Sequence, residues 1–226
     1  MLLSHGADHV RVGHAKGRFP VILALYSFEK AFQTGAIVNQ SLKLNLGSGL
    51  NKRDGFVNVD KYDYGQPELV MDLEQTPWEF SDDSVGVVVL NHTLEHLGKE
   101  VNVFFAIIKE IYRICENGAR IEINVPHPRH DNFINDPTHV RIITPELMGL
   151  FSKKNCLHWQ ETKAPNSPLA LYLGVDFEFV SGNINVEQKY LDQLHSGQLD
   201  KDTLMDMASK YNNIATEYQI VLRVVK

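Results

Sequence analysis

Beyond the leader, histidine gathers at two places in this chain. One is His92-Thr93-Leu94-Glu95-His96; the other is the run from Pro126 to Arg141, which carries His127, His130 and His139 with Asp131, Asp136, Arg129 and Arg141. Imidazole gains and loses a proton near neutral pH, so His92, His96, His127 and His130 are candidates for catalytic proton transfer. Arg129 and Arg141 suit an anionic acceptor, and Asp131 and His139 stand beside them as candidate acceptor contacts. Histidine with aspartate also suits several divalent ions, so His127, His130, Asp131, Asp136 and His139 make a rival metal set. A third reading is a structural loop held by Asp-Pro and Asx turns. The acceptor-loop reading is preferred, because polar residues on a long loop over a scaffold tend to carry function; no metal is assigned.

A different chemistry lies upstream. Leu42, Leu44 and Leu46 alternate with polar residues and run into Gly47-Ser48-Gly49. A strand that ends in Gly-x-Gly is a nucleotide-loop pattern. Without a Cβ the backbone can approach a ligand closely and adopt positive φ. A second short strand, Phe56 to Val59, ends on Asp60, whose carboxylate can accept from both hydroxyls of a ribose. A dinucleotide site wants a third glycine and an acid roughly 20 residues further on. Lys52 stands at the third glycine position, and Asp60 comes too soon for a full helix between the strands. A pyrophosphate is disfavoured on both counts. S-adenosylmethionine has a ribose and an amino-acid end but no phosphate, and two glycines with exposed loop amides suffice for that end.

Leu44-Asn45-Leu46-Gly47-Ser48-Gly49, Asn58-Val59-Asp60, Met71-Asp72-Leu73 and His92-Thr93-Leu94-Glu95-His96-Leu97 resemble successive motifs of class I S-adenosylmethionine-dependent methyltransferases. The small bacterial group similar to ubiquinone-biosynthesis-type enzymes is the nearest likeness. It covers about Leu42 to Pro126 well and the rest weakly. The resemblance implies a Rossmann-like α/β fold: a mostly parallel seven-stranded sheet with an antiparallel edge strand and helices on both faces. It implies cofactor contacts from Leu46, Gly47, Ser48 and Gly49, from Asp60 and Lys61, from Asp72 and Leu73 at the adenine, and from Asn91 and His92 on the methyl side. The implied activity is methyl transfer from S-adenosylmethionine to a small-molecule or sugar-like acceptor. The chain departs from the family where Gly86 stands in place of an acid and where the glycine-rich turn is reduced to Gly118-Ala119. Two alternatives stand beside it. One is a module of the same fold that binds the cofactor without reacting. The other is a zinc metalloprotease, since His92-x-x-Glu95-His96 has that motif's spacing; the motif needs a helix with both histidines on one face.

Placing these groups falls to the surrounding elements. The 226 residues, 43% hydrophobic, suit one domain over 1–226. It would comprise a helical extension over 1–40, a cofactor half over 42–126 and an acceptor half over 127–226. After Pro20, Val21, Leu25, Phe28 and Phe32 recur at helical spacing, and His5, His9 and His14 precede them in a polar leader. A third strand is expected over Glu68 to Met71 and a fully buried parallel one over Val85 to Leu90. A helix follows over Lys99 to Cys115, with Val101, Phe104, Phe105, Ile108, Ile111 and Cys115 on one stripe and Asn117-Gly118 as its stop. Arg120 to Val125 alternates as a strand, and Thr144-Pro145-Glu146 opens a helix to Lys153. Further expectations are a strand over Leu157 to Thr162, a strand or hairpin arm over Leu169 to Val180, a charged helical stretch over Val186 to Tyr211, and an antiparallel edge strand over Tyr218 to Val224.

The formal charge of −6, without a basic run, opposes a nucleic-acid backbone as partner. Val21 to Tyr26, the longest early apolar run, is too short to span a bilayer, and Met1 to His5 lacks signal-peptide character. Cys115 and Cys156 read as free thiols of a reducing cytosol. The expectation is a cytoplasmic protein with a small-molecule acceptor and no membrane partner, and a homodimer is left open.

Overall fold

A computed structural model describes residues 41–226. The helix expected after Pro20 and the leader histidines His5, His9 and His14 lie outside the described residues.

Alternating and apolar runs build the first half of the sheet. β1 (Leu42–Leu46), β2 (Val57–Asp60), β3 (Leu69–Val70) and β4 (Val85–Asn91) lie side by side in the order β3-β2-β1-β4, all parallel. Leu44, Leu46, Val88 and Val89 have no exposed surface, as strands covered on both faces require. Leu46 is opposite Val59 of β2 and Leu90 of β4, so the carboxyl ends of three strands stand level. Residues 47–56 contain no helix, which the short spacing to Asp60 already demands.

α1 (Val101–Ile114) buries Phe104, Ile107, Ile108, Ile111 and Ile114, a 3.6-period stripe. Val101, expected on that stripe, is 49% exposed in the opening turn. The helix also stops earlier than Asn117-Gly118. Cys115 is already extended and begins β5 (Cys115–Pro126), and Gly118 takes φ +86° inside that strand. There the pairing with β4 slips, from Val85 opposite Cys115 to Val87 opposite Arg120, so the glycine serves a bulge rather than a helix cap.

The second half departs further from expectation. After α2 (Asp131–Ile134), the Thr144 hydroxyl accepts from the Leu147 amide at 3.1 Å and opens α3 (Pro145–Gly149). That helix does not reach Lys153, because Ser152 caps a new one, α4 (Lys153–Thr162). Leu157 to Thr162 is therefore helical, not a strand. α5 (Leu169–Leu173) replaces the first part of the expected hairpin arm and ends at Gly174, φ +70°; the rest is a strand as expected, β6 (Phe177–Val186), which runs on to Val186. The charged stretch is two helices, α6 (Gln188–His195) and α7 (Lys201–Lys210), with Asp200 accepting from the Thr203 amide at 2.9 Å to start the second. β7 (Ala215–Val224) is antiparallel as expected but is not the edge strand: it lies between β5 and β6, so β6 takes the edge and the full order is β3-β2-β1-β4-β5-β7-β6. Leu204, Ala208, Ile214 and Ala215 form a small second core under α7, joined by Ile184, Val186 and Leu194.

Among the described residues no helix is long and apolar enough to cross a membrane. Both cysteines are free and buried, and burial pushes the Cys115 thiol up to about 12.

Candidate functional site

Gly47 follows β1 with φ +71°, and a Cβ there would stand 2.4 Å from the Thr93 side chain, so the β1 and β4 ends close up only around a glycine. Thr93 Oγ1 donates to the Leu46 carbonyl at 3.0 Å. The amides of Gly47 and Ser48 both donate to the Val59 carbonyl, at 2.8 and 3.0 Å, which ties the loop to β2. Gly49 donates its amide to Asp60 Oδ2 at 2.8 Å, while Asp60 Oδ1 accepts from the Tyr62 amide at 2.9 Å. Beneath the loop, buried Asn45 donates to Asn58 Oδ1 at 2.8 Å, and the same oxygen accepts from the Arg53 amide at 2.8 Å. A satisfied buried amide pair of this kind fixes one path for the backbone above it.

The neighbouring tips are joined to the same rim. Lys61 Nζ lies 3.0 Å from Asp72 Oδ2, and Asp72 Oδ1 accepts from the Glu74 amide at 3.0 Å. Burial pushes the Asp72 carboxyl up, but the Lys61 ammonium and the Glu74 amide together outweigh it and hold it below its usual range. Leu73 is buried and its carbonyl accepts from Trp78 Nε1 at 3.2 Å. Gly65 had no place among the expected site residues. A Cβ on it would stand 1.8 Å from the Gly49 carbonyl oxygen, so the turn Asp63–Gly65 presses directly on the glycine loop. Thr93 was likewise missed, because a threonine inside a recognised motif carries no signal of its own.

At the β4 end, Asn91 Oδ1 accepts from Asn124 Nδ2 at 3.0 Å. His92 follows in the left-handed region, φ +50°. Its ring lies between two carboxylates, with Nδ1 3.5 Å from Glu95 Oε1 and Nε2 3.2 Å from Glu217 Oε2. Glu95 raises the imidazole pKa, against burial, and Glu217 adds to the rise. Glu217 comes from β7, and nothing in the sequence marks it as a neighbour of His92. The histidine motif itself sits on a strand end followed by the 3-10 turn Leu94–His96. The metalloprotease reading fails on this point, since no helix presents His92 and His96 on one face.

The loop after β5 divides. His127 is buried against Tyr218, with ring centroids 4.8 Å apart, and its Nδ1 accepts from the Arg129 amide at 3.2 Å. Burial, then the charges of Arg129 and His130, lower its pKa. His130 caps α2, accepting from the Asn132 amide at 3.0 Å, so its proton sits on Nε2, 2.9 Å from Glu187. Arg129 donates to the Lys210 carbonyl at 2.9 Å, and Asn213 accepts from the Asp131 amide at 2.9 Å. These residues face the α6–α7 segment. The far end of the loop instead returns to the turn after β4: the amides of Val140 and Arg141 donate to the Glu95 carbonyl at 2.9 and 3.1 Å. Arg141 stacks its guanidinium 4.1 Å from the Phe104 ring centroid and donates to the Gly98 carbonyl. The His139 and His96 rings meet edge to face, 4.6 Å between centroids.

With this geometry in hand, residues 45–123 match the family described as a methyltransferase domain. No curated protein matches the chain. Among solved structures, an S-adenosylmethionine-dependent methyltransferase from Archaeoglobus fulgidus is similar at 17% identity and TM-score 0.50, over 88% of this chain and 93% of that one. One from Methanosarcina mazei is similar at 12% identity and TM-score 0.47, over 86% and 97%. The YcgJ protein of Bacillus subtilis is similar at 12% identity and TM-score 0.47, over 89% and 99%. Residues 45–123 thus resemble a methyltransferase domain, and the sheet that carries them has the class I S-adenosylmethionine-dependent methyltransferase fold.

Proposed function

We propose that this chain transfers the methyl group of S-adenosylmethionine to a small-molecule or sugar-like acceptor. The observation that carries the reading is the stitching of strand ends into one rim, by Gly49 to Asp60, Lys61 to Asp72 and Thr93 to Leu46. Ligands of open α/β sheets bind at such a rim. The residues fit the cofactor. The Ser48 hydroxyl is buried without a hydrogen-bond partner among the described residues, and open space stands where a Gly49 Cβ would be. Leu46, Gly47, Ser48 and Gly49 would hold the amino-acid end. Asp60 would accept from the ribose, since a carboxylate has acceptor sites beyond the two amides it already serves. Lys61 holds Asp72 in place for the adenine amine, with the Leu73 amide beside it.

When bound, the cofactor supplies a methyl carbon made electrophilic by its sulfonium. The chain's task is to align the acceptor and keep water out. His92 and Asn91 line the methyl side. His92, braced by Glu95 and Glu217, is the group placed to orient the acceptor or take its proton, with His96 next to it. His127, His130, Arg129 and Asp131 frame the acceptor half from the α6–α7 side, and His139 and Arg141 from the β4 side.

Calorimetric titration tests the reading. S-adenosylmethionine should bind, a nicotinamide dinucleotide should not, and Asp60→Asn should weaken binding about tenfold or more, as expected for a lost charge-assisted hydrogen bond. Preference for the dinucleotide would overturn it. An acceptor survey that reads S-adenosylhomocysteine separates the enzyme from a module that only binds: His92→Ala should lose turnover and keep cofactor affinity.

A further inference from the structure

We infer that Glu95, His96 and His139 form a binding site for a divalent transition-metal ion. The site lies beside the cofactor rim and does not depend on the methyl-transfer reading. Each residue offers one ligand atom, and the three atoms lie within 4.8 Å of one another. Their backbones are already tied, because the Glu95 carbonyl accepts from the two amides that follow His139.

The protons on the two rings can be read from their partners. His139 Nδ1 is 2.9 Å from the Phe133 carbonyl, an acceptor only, so Nδ1 carries hydrogen and Nε2 the lone pair. His96 Nδ1 is 2.9 Å from Thr138 Oγ1, whose own hydrogen goes to Asp136 Oδ1 at 2.5 Å. The threonine oxygen therefore accepts, His96 Nδ1 carries hydrogen, and Nε2 again keeps the lone pair. Glu95 is 1% exposed, and neither of its carboxylate oxygens has a hydrogen-bond partner among the described residues. His92 Nδ1 stands 3.5 Å from Glu95 Oε1, a long ion-pair contact that leaves Oε2 unengaged, and the other nitrogen of His92 pairs with Glu217.

Two imidazoles, each with Nε2 free to bind a metal, thus stand beside a buried carboxylate, and Asp136 Oδ2 lies 3.8 Å from His139 Nε2. Leaving the buried carboxylate unsatisfied is costly, and a cation satisfies it and both imidazoles. Two imidazoles and a carboxylate suit zinc, cobalt, nickel, manganese or iron in the divalent state better than magnesium or calcium, which prefer oxygen. The outer contacts are those of metal-ligating histidines, whose second N–H is commonly held by a carbonyl or a carboxylate-linked group. Three protein ligands leave a coordination position open. The ion would staple the loop after β5 to the turn after β4.

The test uses the full chain, stripped with EDTA, and zinc chloride or cobalt chloride alone, without S-adenosylmethionine. Wild type should take up a single ion, give a cobalt absorption band in the visible and rise in unfolding temperature with zinc. His139→Ala should unfold in EDTA near the temperature of stripped wild type, and should take up no ion. Thr138→Val, which leaves all ligands in place, should weaken zinc binding about tenfold or more. Wild type that takes up neither ion overturns the site, as does His139→Ala binding zinc as well as wild type. Should His139→Ala not fold, unchanged zinc affinity in Thr138→Val overturns it. Failure of S-adenosylmethionine to bind would sink the methyl-transfer reading and leave this one standing.

Discussion

The strand ends of β1 to β4 and the helical pair α6–α7 are held in opposite ways. The first is stitched by polar groups over short chain distances, the buried pair Asn45 to Asn58 and the exposed pair Gly49 to Asp60. The second rests on a small apolar core, Leu204, Ala208, Ile214 and Ala215, against the outer ends of β6 and β7. Directional bonds fix one geometry, as a binding rim needs. Apolar packing tolerates substitution of similar volume, as a variable acceptor side would need.

Gly47→Ala should strike hardest at the first region. A positive φ with a Cβ costs about 1–2 kcal/mol, and the Thr93 side chain 2.4 Å away has to move as well. Cofactor binding should be lost and thermal stability lowered. Thr93→Ala in the same chain should recover part of the stability, because contacting residues couple by about 0.5–3 kcal/mol. Additive effects in that double-mutant cycle would show that the two regions do not differ as described.

Leu204→Ala should cost about 2–5 kcal/mol within the second core. Amide exchange should quicken in α6 and α7 while β1 and β4 stay protected, and affinity for S-adenosylmethionine should hold. Loss of that affinity would mean the two regions are one cooperative unit.

The smallest effect is one of pH. Burial pushes Glu68 up, but Lys52 and Asn58 outweigh it and bring its carboxyl down to about 2. A depressed carboxyl contributes stability above its unfolded value of 4.5, and that contribution disappears as pH falls from there towards 2. The Lys52–Glu68 pair is 38% and 45% exposed, so the contribution is below about 1 kcal/mol after solvent screening. Urea midpoints at about pH 6 and about pH 3 should differ less for Glu68→Gln than for wild type.

The same contrast explains what was legible. β1, β2 and β4 were read within a residue or two, because alternation and β-branched runs are local signals. The glycine loop and Asp60 were legible for the same reason. Leu157 to Thr162 was misread because its few apolar residues fit strand and helix alike; the Ser152 cap decided for helix. α5 and the break between α6 and α7 failed similarly, each set by a left-handed glycine, Gly174 or Gly197, whose effect depends on the tertiary frame.

The amino-acid sequence by itself determined the glycine loop and the acid at the tip of β2, since each follows from neighbours a few residues apart; a mostly parallel sheet was implied by the family resemblance, and the strand order comes from the structure. Only the tertiary structure decided that Glu217 stands beside His92, that Gly65 presses on Gly49, and that His139 returns to Glu95 while His130 turns to Glu187. Those pairings join residues remote in the chain, and which of several histidines meets which carboxylate is fixed by strand register and loop closure, not by residue type.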